Sequence, residues 1–206
     1  IGYNFCGVLT GSIGLSYLFA YSLILGPNPG TSTILYFLIY IFVGYSAYIV
    51  CMKLQKSWGM RKVILRFGIL RVVGLIVVFF FVLVPGLYSL IWLGYIWTTF
   101  FGGYGVYTTG GLMYLSVDED EVVHGTRREG MFLGINALFT KPANSIGPIV
   151  ATAILGYFGY IQGGSATMQP DSALIGIKLL FFVIPAIFVA ISLIFIYFYP
   201  FYGEKL

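Results

Sequence analysis

Six long apolar segments, separated by short stretches of turn-forming or charged residues, are the feature that most limits how this chain can fold. Each segment reaches the roughly 20 predominantly apolar residues that an α-helix needs to cross a bilayer. The first connection, at residues 26–30, reads Gly-Pro-Asn-Pro-Gly, a cluster through which a helix does not continue. The predicted spans cover residues 3–25, 33–52, 62–84, 87–115, 130–158 and 172–199.

Composition excludes the soluble classes of protein. Charged residues are 9% and hydrophobic residues 59% of the 206 residues, whereas a soluble domain carries about 25% charged residues. Because so few charges cannot cover a water-facing surface, a soluble enzyme, a nucleic-acid-binding domain and a disordered chain are excluded. The unbroken apolar runs also differ from the alternating strands of a membrane barrel. The predicted fold class is an all-α membrane protein, a six-transmembrane-helix bundle in the lipid bilayer.

The basic residues lie mostly at one end of this predicted bundle. The three connections at the other end contain one charged residue, Asp171. By the positive-inside rule the basic end is cytoplasmic, so we expect both ends of the chain in the cytoplasm and the protein in the plasma membrane. The basic residues assigned to this end, between or just inside the spans, are Lys53, Lys56, Arg61, Lys62, Arg66, Arg71, Arg127, Arg128 and Lys205.

The fifth segment carries a polar stripe. Asn136, Thr140 and Asn144 recur every four residues and therefore share one helix face. Lys141 flanks them about eleven residues into the span, at roughly 16 Å or half of a ~30 Å hydrocarbon core. A lysine at this depth costs at least ~2.5 kcal/mol on insertion scales. We interpret the four residues as the lining of a substrate or coupling cavity; the alternative is a structural lysine satisfied by carbonyl groups.

The connection before the fifth segment contains charges of both signs. Arginine side chains bind carboxylates bidentately, so this loop is predicted to act as a cytoplasmic gate. The candidate gate residues are Asp118, Glu121, Arg127, Arg128 and Glu129. The chain has a single histidine, His124, and no nucleophile spaced with a base, so neither a metal site nor a catalytic site is predicted.

Glycines in the first segment have two interpretations. Gly7 and Gly11 form a GxxxG pair. Such pairs let helix backbones approach closely in a membrane, and this packing role is favoured over a role in a substrate path.

The loop and the lysine together resemble a known family. Asp118-x-x-Glu121, followed by Gly125-x-Arg127-x-Glu129, is similar to the loop between helices ten and eleven of the glycoside–pentoside–hexuronide:cation symporters. These form the melibiose-permease-like branch of the major facilitator superfamily. The spacing from the loop to Lys141 matches the position of that family's helix-eleven lysine. The similarity covers essentially the whole chain, as the C-terminal half of such a transporter.

This resemblance implies a function. It implies cation-coupled symport of a small sugar or glycoside by alternating access around a site near the membrane midplane. Na⁺ or H⁺ is the coupling ion expected in the full-length protein, with no tightly bound cofactor. The implied partner is the N-terminal six-helix bundle, which is absent from this chain. Two alternatives stay open: a lysophospholipid transporter of the same superfamily, and a membrane subunit that does not transport.

Overall fold

The computed structural model describes residues 1–25, 29–84, 91–162 and 168–199. These residues are helical with short connections and contain no strand within the described ranges, which confirms the predicted all-α class. The helices are α1 Gly2–Leu25, α2 Pro29–Trp58, α3 Met60–Leu83, α4 Ile91–Gly102, α5 Tyr104–His124, α6 Glu129–Tyr157, α7 Asp171–Lys178 and α8 Ile184–Phe198, with a π-helical turn at Leu179–Val183 between the last two.

Among the described residues, three helical stretches are long and apolar enough to cross a membrane by length and composition. These stretches are Phe37–Trp58, Met60–Leu83 and Asp171–Phe198. Their outward faces carry large apolar side chains, such as Phe42 and Phe80, which are 71% and 63% exposed. Exposed apolar surface of this kind suits contact with lipid rather than water.

The fourth predicted segment forms two helices that meet at Gly103. Helix α4 ends at Gly102 and α5 begins at Tyr104, and the Gly103 amide donates to Phe100 O at 3.2 Å. A β-carbon on Gly103 would lie 2.5 Å from Ala47 Cβ and 2.9 Å from Gly44 O. Only glycine therefore allows α2 to cross this junction so closely.

The last helical segment is irregular at its centre. The turn Leu179–Val183 is π-helical and is followed by Pro185, near the first turn of α8. Proline has no amide hydrogen and displaces the carbonyl one turn before it, which explains why the regular hydrogen-bond pattern changes here. The helix begins at Asp171 with Pro170 as N-cap and no side-chain hydrogen bond to the cap. Ser172 Oγ donates to Phe158 O at 2.9 Å, which ties the start of this helix to the end of α6.

Helix α1 is central to the packing. It lies against α6 and α8, while α3 packs on α8 and α4, and α2 packs on α4. One buried cluster joins α2, α3, α5 and α8, and a second joins α1, α6, α7 and the π-helical turn. These contacts leave a cavity bordered by α1, α2, α3, α4, α5 and α8, with the junction at Gly103 in its wall.

Candidate functional site

A cavity of about 720 Å³ opens in the bundle, and every helix except α6 and α7 contributes to its lining. This volume lies within the ~300–1,000 Å³ usual for small-molecule sites. Tyrosine is the commonest side chain in the lining, and it supplies both an aromatic face and a hydroxyl group. The lining tyrosines are Tyr3, Tyr40, Tyr45, Tyr48, Tyr95 and Tyr104.

Small and hydroxylated residues make up much of the remaining wall. Thr98 and Thr99 of α4 line the cavity, and so do Gly7 and Gly11 of α1. A β-carbon at Gly7 or Gly11 would have no atom of the described chain within 4 Å. The expectation that this GxxxG pair serves helix packing is therefore wrong, because both glycines face open space in the cavity.

Arg71 also lines the cavity, which corrects its assignment to the cytoplasmic basic cluster. It lies eleven residues after Met60, the first residue of α3. At 1.5 Å per residue this is roughly 16 Å along the helix, near the middle of a span. The other arginines of α3 lie nearer its first residue: Arg61 donates to Tyr197 O at 2.6 Å, and Arg66 lies 4.4 Å from the Trp58 ring centroid.

Two contacts position the Arg71 side chain. It makes a side-chain hydrogen bond with Tyr104, which is 2% exposed. It also lies on Gly102, where a β-carbon would be 3.1 Å from Arg71 Cζ. The sequence signal that could have identified Arg71 is its distance of nine residues from Lys62, which places it two and a half turns deeper in the helix.

The polar stripe predicted in the fifth segment lies on α6, beside α1. Asn136 Oδ1 accepts a 3.0 Å hydrogen bond from Asn4 Nδ2, and Asn4 lines the cavity. Thr140 is half-buried, and its hydroxyl donates to Asn136 O at 2.9 Å. Asn144 and Lys141 are exposed. The structure thus brings Asn136 to the edge of the cavity, while Thr140, Lys141 and Asn144 are absent from its lining.

The exposed surface of α6 divides into two arcs around the helix axis. One arc carries large apolar side chains, including Leu138 and Ile149, which are 70% and 66% exposed. The other carries Lys141 and Ser145 together with Gly134, all exposed. Successive residues of a helix are about 100° apart, so these two sets lie on adjacent faces. The apolar side chains suit contact with lipid, whereas Lys141 at this depth requires water or protein beside it.

Arg127 joins the two ends of the predicted gate loop. Its Nη1 lies 3.0 Å from Glu121 Oε2 and 3.3 Å from Asp118 Oδ1, and its Nε lies 3.4 Å from Glu129 Oε2. The hydrogen bond to Glu121 contributes most to raising the pKa of the Arg127 guanidinium, followed by the one to Glu129. The chain turns sharply between α5 and α6 at Gly125, whose φ of 70° is a left-handed conformation that favours glycine.

Arg128 binds a carboxylate that sequence reasoning missed. Its Nη2 and Nε lie 2.6 and 2.8 Å from the two oxygens of Asp120, in a bidentate pair, and His124 Nδ1 lies 3.0 Å from Asp120 Oδ1. The hydrogen bonds from Arg128 hold the pKa of Asp120 below its ordinary value of 3.8. Because the pKa of Asp120 is lowered in the folded protein, its ion pair stabilises the fold above the ordinary carboxyl pKa. This stabilisation is lost only as the pH falls through the lowered pKa. The loop pairing therefore persists across the physiological range.

Comparison with known proteins adds a relative and a family. A protein of Synechocystis sp. named as an uncharacterized symporter is 37% identical to this chain over 87 residues. The aligned part is 41% of this chain and 16% of that protein, so the chain matches a small share of the relative's length.

A family model described as MFS/sugar transport protein matches residues 3–202. Together with the apolar helices, this match indicates an integral membrane protein and a transporter rather than an enzyme. Since the match extends over nearly the whole sequence, the chain belongs to the family of MFS/sugar transport proteins.

Proposed function

We propose that this chain is the C-terminal six-helix half of a cation-coupled symporter of sugars or glycosides, in the melibiose-permease-like branch of its superfamily. The observation that carries the proposal is the tyrosine-lined cavity in a chain of the sugar-transport family. The name of the Synechocystis relative, a symporter, favours coupling to an ion. Na⁺ or H⁺ is the proposed coupling ion.

The lining of the cavity suits a carbohydrate. A sugar ring has weakly polar faces and a rim of hydroxyl groups. Tyr40, Tyr45 and Tyr95 offer aromatic faces together with phenol groups, and Thr98 and Thr99 offer further hydroxyl groups. Ligand sites typically combine such apolar and aromatic surface with a few polar groups that fix orientation.

Lys141 is proposed to take part in coupling rather than to line this cavity directly. Its arc on α6 is polar and exposed. A compact ammonium group at mid-depth is stabilised by a carboxylate or by water. Both would be available if the remaining six-helix half of the protein packed against this arc. Asn136 would link the arc to the cavity through its hydrogen bond with Asn4, with Thr140 and Asn144 beside it.

The loop after α5 is proposed to close the cavity on the cytoplasmic side during alternating access. In the present conformation Arg127 and Arg128 of the loop pair with carboxylates in the last turns of α5, Asp118 and Asp120. To close the cavity they would exchange these partners for groups of the other half. Arg127 contacts Asp118, Glu121 and Glu129 together, so it would have to leave all three to pair with the other half. The proposed orientation, with this loop and both chain ends in the cytoplasm, follows the distribution of basic residues.

Gradient-driven uptake tests this function. The complete protein, reconstituted into liposomes, is expected to accumulate a labelled glycoside above its external concentration when an inward Na⁺ or H⁺ gradient is imposed. Ionophores that dissipate the gradient should reduce uptake to equilibration, because the gradient supplies the driving force. Equilibration alone, unaffected by either gradient, would contradict cation coupling. Uptake of lysophospholipid but of no glycoside would support the lipid alternative.

A further inference from the structure

We infer that one exposed face of α3 binds an anionic phospholipid, with the headgroup phosphate at Lys62 and Arg66 and an acyl chain along the apolar side chains that follow. This exposed α3 face is formed by Lys62, Arg66, Ile69, Val73, Val77 and Phe80. The occupant is a lipid of the membrane and not the transported solute. The inference therefore goes beyond the proposed function and does not depend on which solute is transported.

The exposed α3 face changes from cationic to apolar along its length. Its members recur every three or four residues, which places them on one side of a helix. The two cations lie near Met60, the first residue of α3, and every later member is apolar. A phospholipid has the same order, because its charged headgroup is followed by hydrocarbon chains.

The length of the apolar part fits one leaflet of a bilayer. Val77 lies eleven residues after Arg66, which is roughly 16 Å along a helix at 1.5 Å per residue. One leaflet contributes about half of a ~30 Å hydrocarbon core. An acyl chain whose headgroup lies at Arg66 therefore extends past Ile69 and Val73 to about Val77.

The exposed α3 face points away from the cavity. Arg71 and Leu75 are the residues of α3 that line the cavity. Arg71 comes two residues after Ile69, and Leu75 comes two residues after Val73, so each is turned by roughly 200° around the helix axis. A six-helix half that moved against the cavity would therefore lie on the opposite side of α3. Lipid is left as the neighbour of the exposed α3 face, and it does not contact the solute.

The two cations of this face have no carboxylate partner within the described ranges. The ion pairs found there involve His124, Arg127 and Arg128. No acidic residue precedes Asp118 in the sequence. The basic end of the bundle is the proposed cytoplasmic end, and the cytoplasmic leaflet is the one that carries the negative surface potential of anionic lipids. An anionic headgroup therefore supplies the missing counter-charge.

Trp58 fixes the position of the Arg66 guanidinium. The Arg66 Cζ atom lies 4.4 Å from the centroid of the Trp58 ring, in a cation–π contact. Trp58 is the last residue of α2 and is 37% exposed, and tryptophan is enriched at the level of lipid headgroups. Stacking uses the flat face of the guanidinium and leaves its in-plane donors for two oxygens of a phosphate. This contact distinguishes a formed site from a general excess of positive charge.

A comparison of two lipids tests the inference. The complete protein is purified in a neutral detergent and titrated with phosphatidylglycerol or phosphatidylcholine that have the same acyl chains, and bound lipid is counted by native mass spectrometry. Phosphatidylglycerol is expected to bind at least about tenfold more tightly, because each of the two cations favours an anionic headgroup about fivefold. Equal binding of the two lipids would overturn the inference.

Variants identify the residues responsible. Arg66→Gln should reduce the preference for phosphatidylglycerol several-fold, and Arg66→Lys should keep part of it, because the charge remains but the fork is lost. Trp58→Leu keeps both cations and should still weaken the preference, since the guanidinium is no longer held in place. Lys53→Gln removes an exposed cation of α2 outside this face and is the control, which should leave the preference unchanged.

Two contrary results would assign the exposed α3 face differently. An equal loss of preference in Lys53→Gln and Arg66→Gln would show a general effect of charge and overturn the site. Pairs of protein chains without bound lipid, which separate in Arg66→Gln, would assign the face to a second copy of the protein and also overturn the inference.

Discussion

Replacement of Lys141 by alanine is expected to abolish cation-coupled uptake while the protein still inserts and folds. Lys141 is exposed on α6 and has no ion-pair or hydrogen-bond partner among the described residues, so its removal breaks no contact within this bundle. Loss of a mid-membrane charge also removes a cost of at least ~2.5 kcal/mol. The expected defect therefore lies in coupling, and the measurement is gradient-driven uptake normalised to the amount of folded protein.

Two further variants make this result specific. Lys141→Arg should restore little uptake, because a planar fork does not replace a compact ammonium at a restricted site. Lys62→Ala removes an exposed lysine near the first residue of α3 and should leave uptake unchanged. Wild-type uptake in Lys141→Ala would show that Lys141 has only a structural role.

The largest loss of stability is expected from Gly147→Leu at the contact between α1 and α6. A β-carbon at Gly147 would overlap the Ser12 side chain and lie 3.2 Å from the Ile13 amide nitrogen. Ser12 Oγ also lies within hydrogen-bond distance of Ala143 O, at 3.3 Å. Overpacking a tight contact costs about 1–3 kcal/mol or more, and here it would also separate the two helices.

The matched control is Gly156→Leu in the same helix. A β-carbon at Gly156 would meet no atom of the described chain within 4 Å. Surface substitutions of this kind usually change stability by no more than about 0.5 kcal/mol. Thermal unfolding in detergent, followed by size-exclusion chromatography, should show a lower transition temperature for Gly147→Leu only. Similar transition temperatures for the two variants would contradict the packing described for α1 and α6.

The helical class could be predicted from the sequence because few backbone structures are stable within a lipid bilayer. Backbone polar groups in a bilayer must be satisfied within the segment, so a long apolar run implies a helix. The interruption at Gly103 could not be predicted in the same way. It depends on the close approach of Gly44 and Ala47 from another helix, which no local pattern reports.

The candidate site could be predicted only in part. The sequence alone does not show how far along its helix a residue lies or which face of the helix meets the cavity. Hydropathy groups Arg71 with the nearby basic residues, whereas its role depends on α3 beginning at Met60 and on which face meets the cavity. Periodicity places Asn136 and Lys141 near each other on α6 but does not determine what packs there. In the loop, sequence predicts arginine–carboxylate pairs, but the choice of Asp120 requires α5 to continue as a helix to His124.

Occupation of the tyrosine-lined cavity by a transported solute can be measured directly by thiol alkylation. Thr99 lines this cavity and is half-buried, and both native cysteines, Cys6 and Cys51, are buried. With those two replaced, Thr99→Cys gives a single thiol on the wall, and its alkylation rate can be measured with and without a saturating glycoside. A cysteine at Met168, which is 66% exposed outside the cavity, is the reference. A glycoside bound in the cavity is expected to slow alkylation of Thr99→Cys several-fold and to leave the reference unchanged. Equal rates at Thr99→Cys with and without a glycoside that the protein transports would show that the solute does not bind in this cavity.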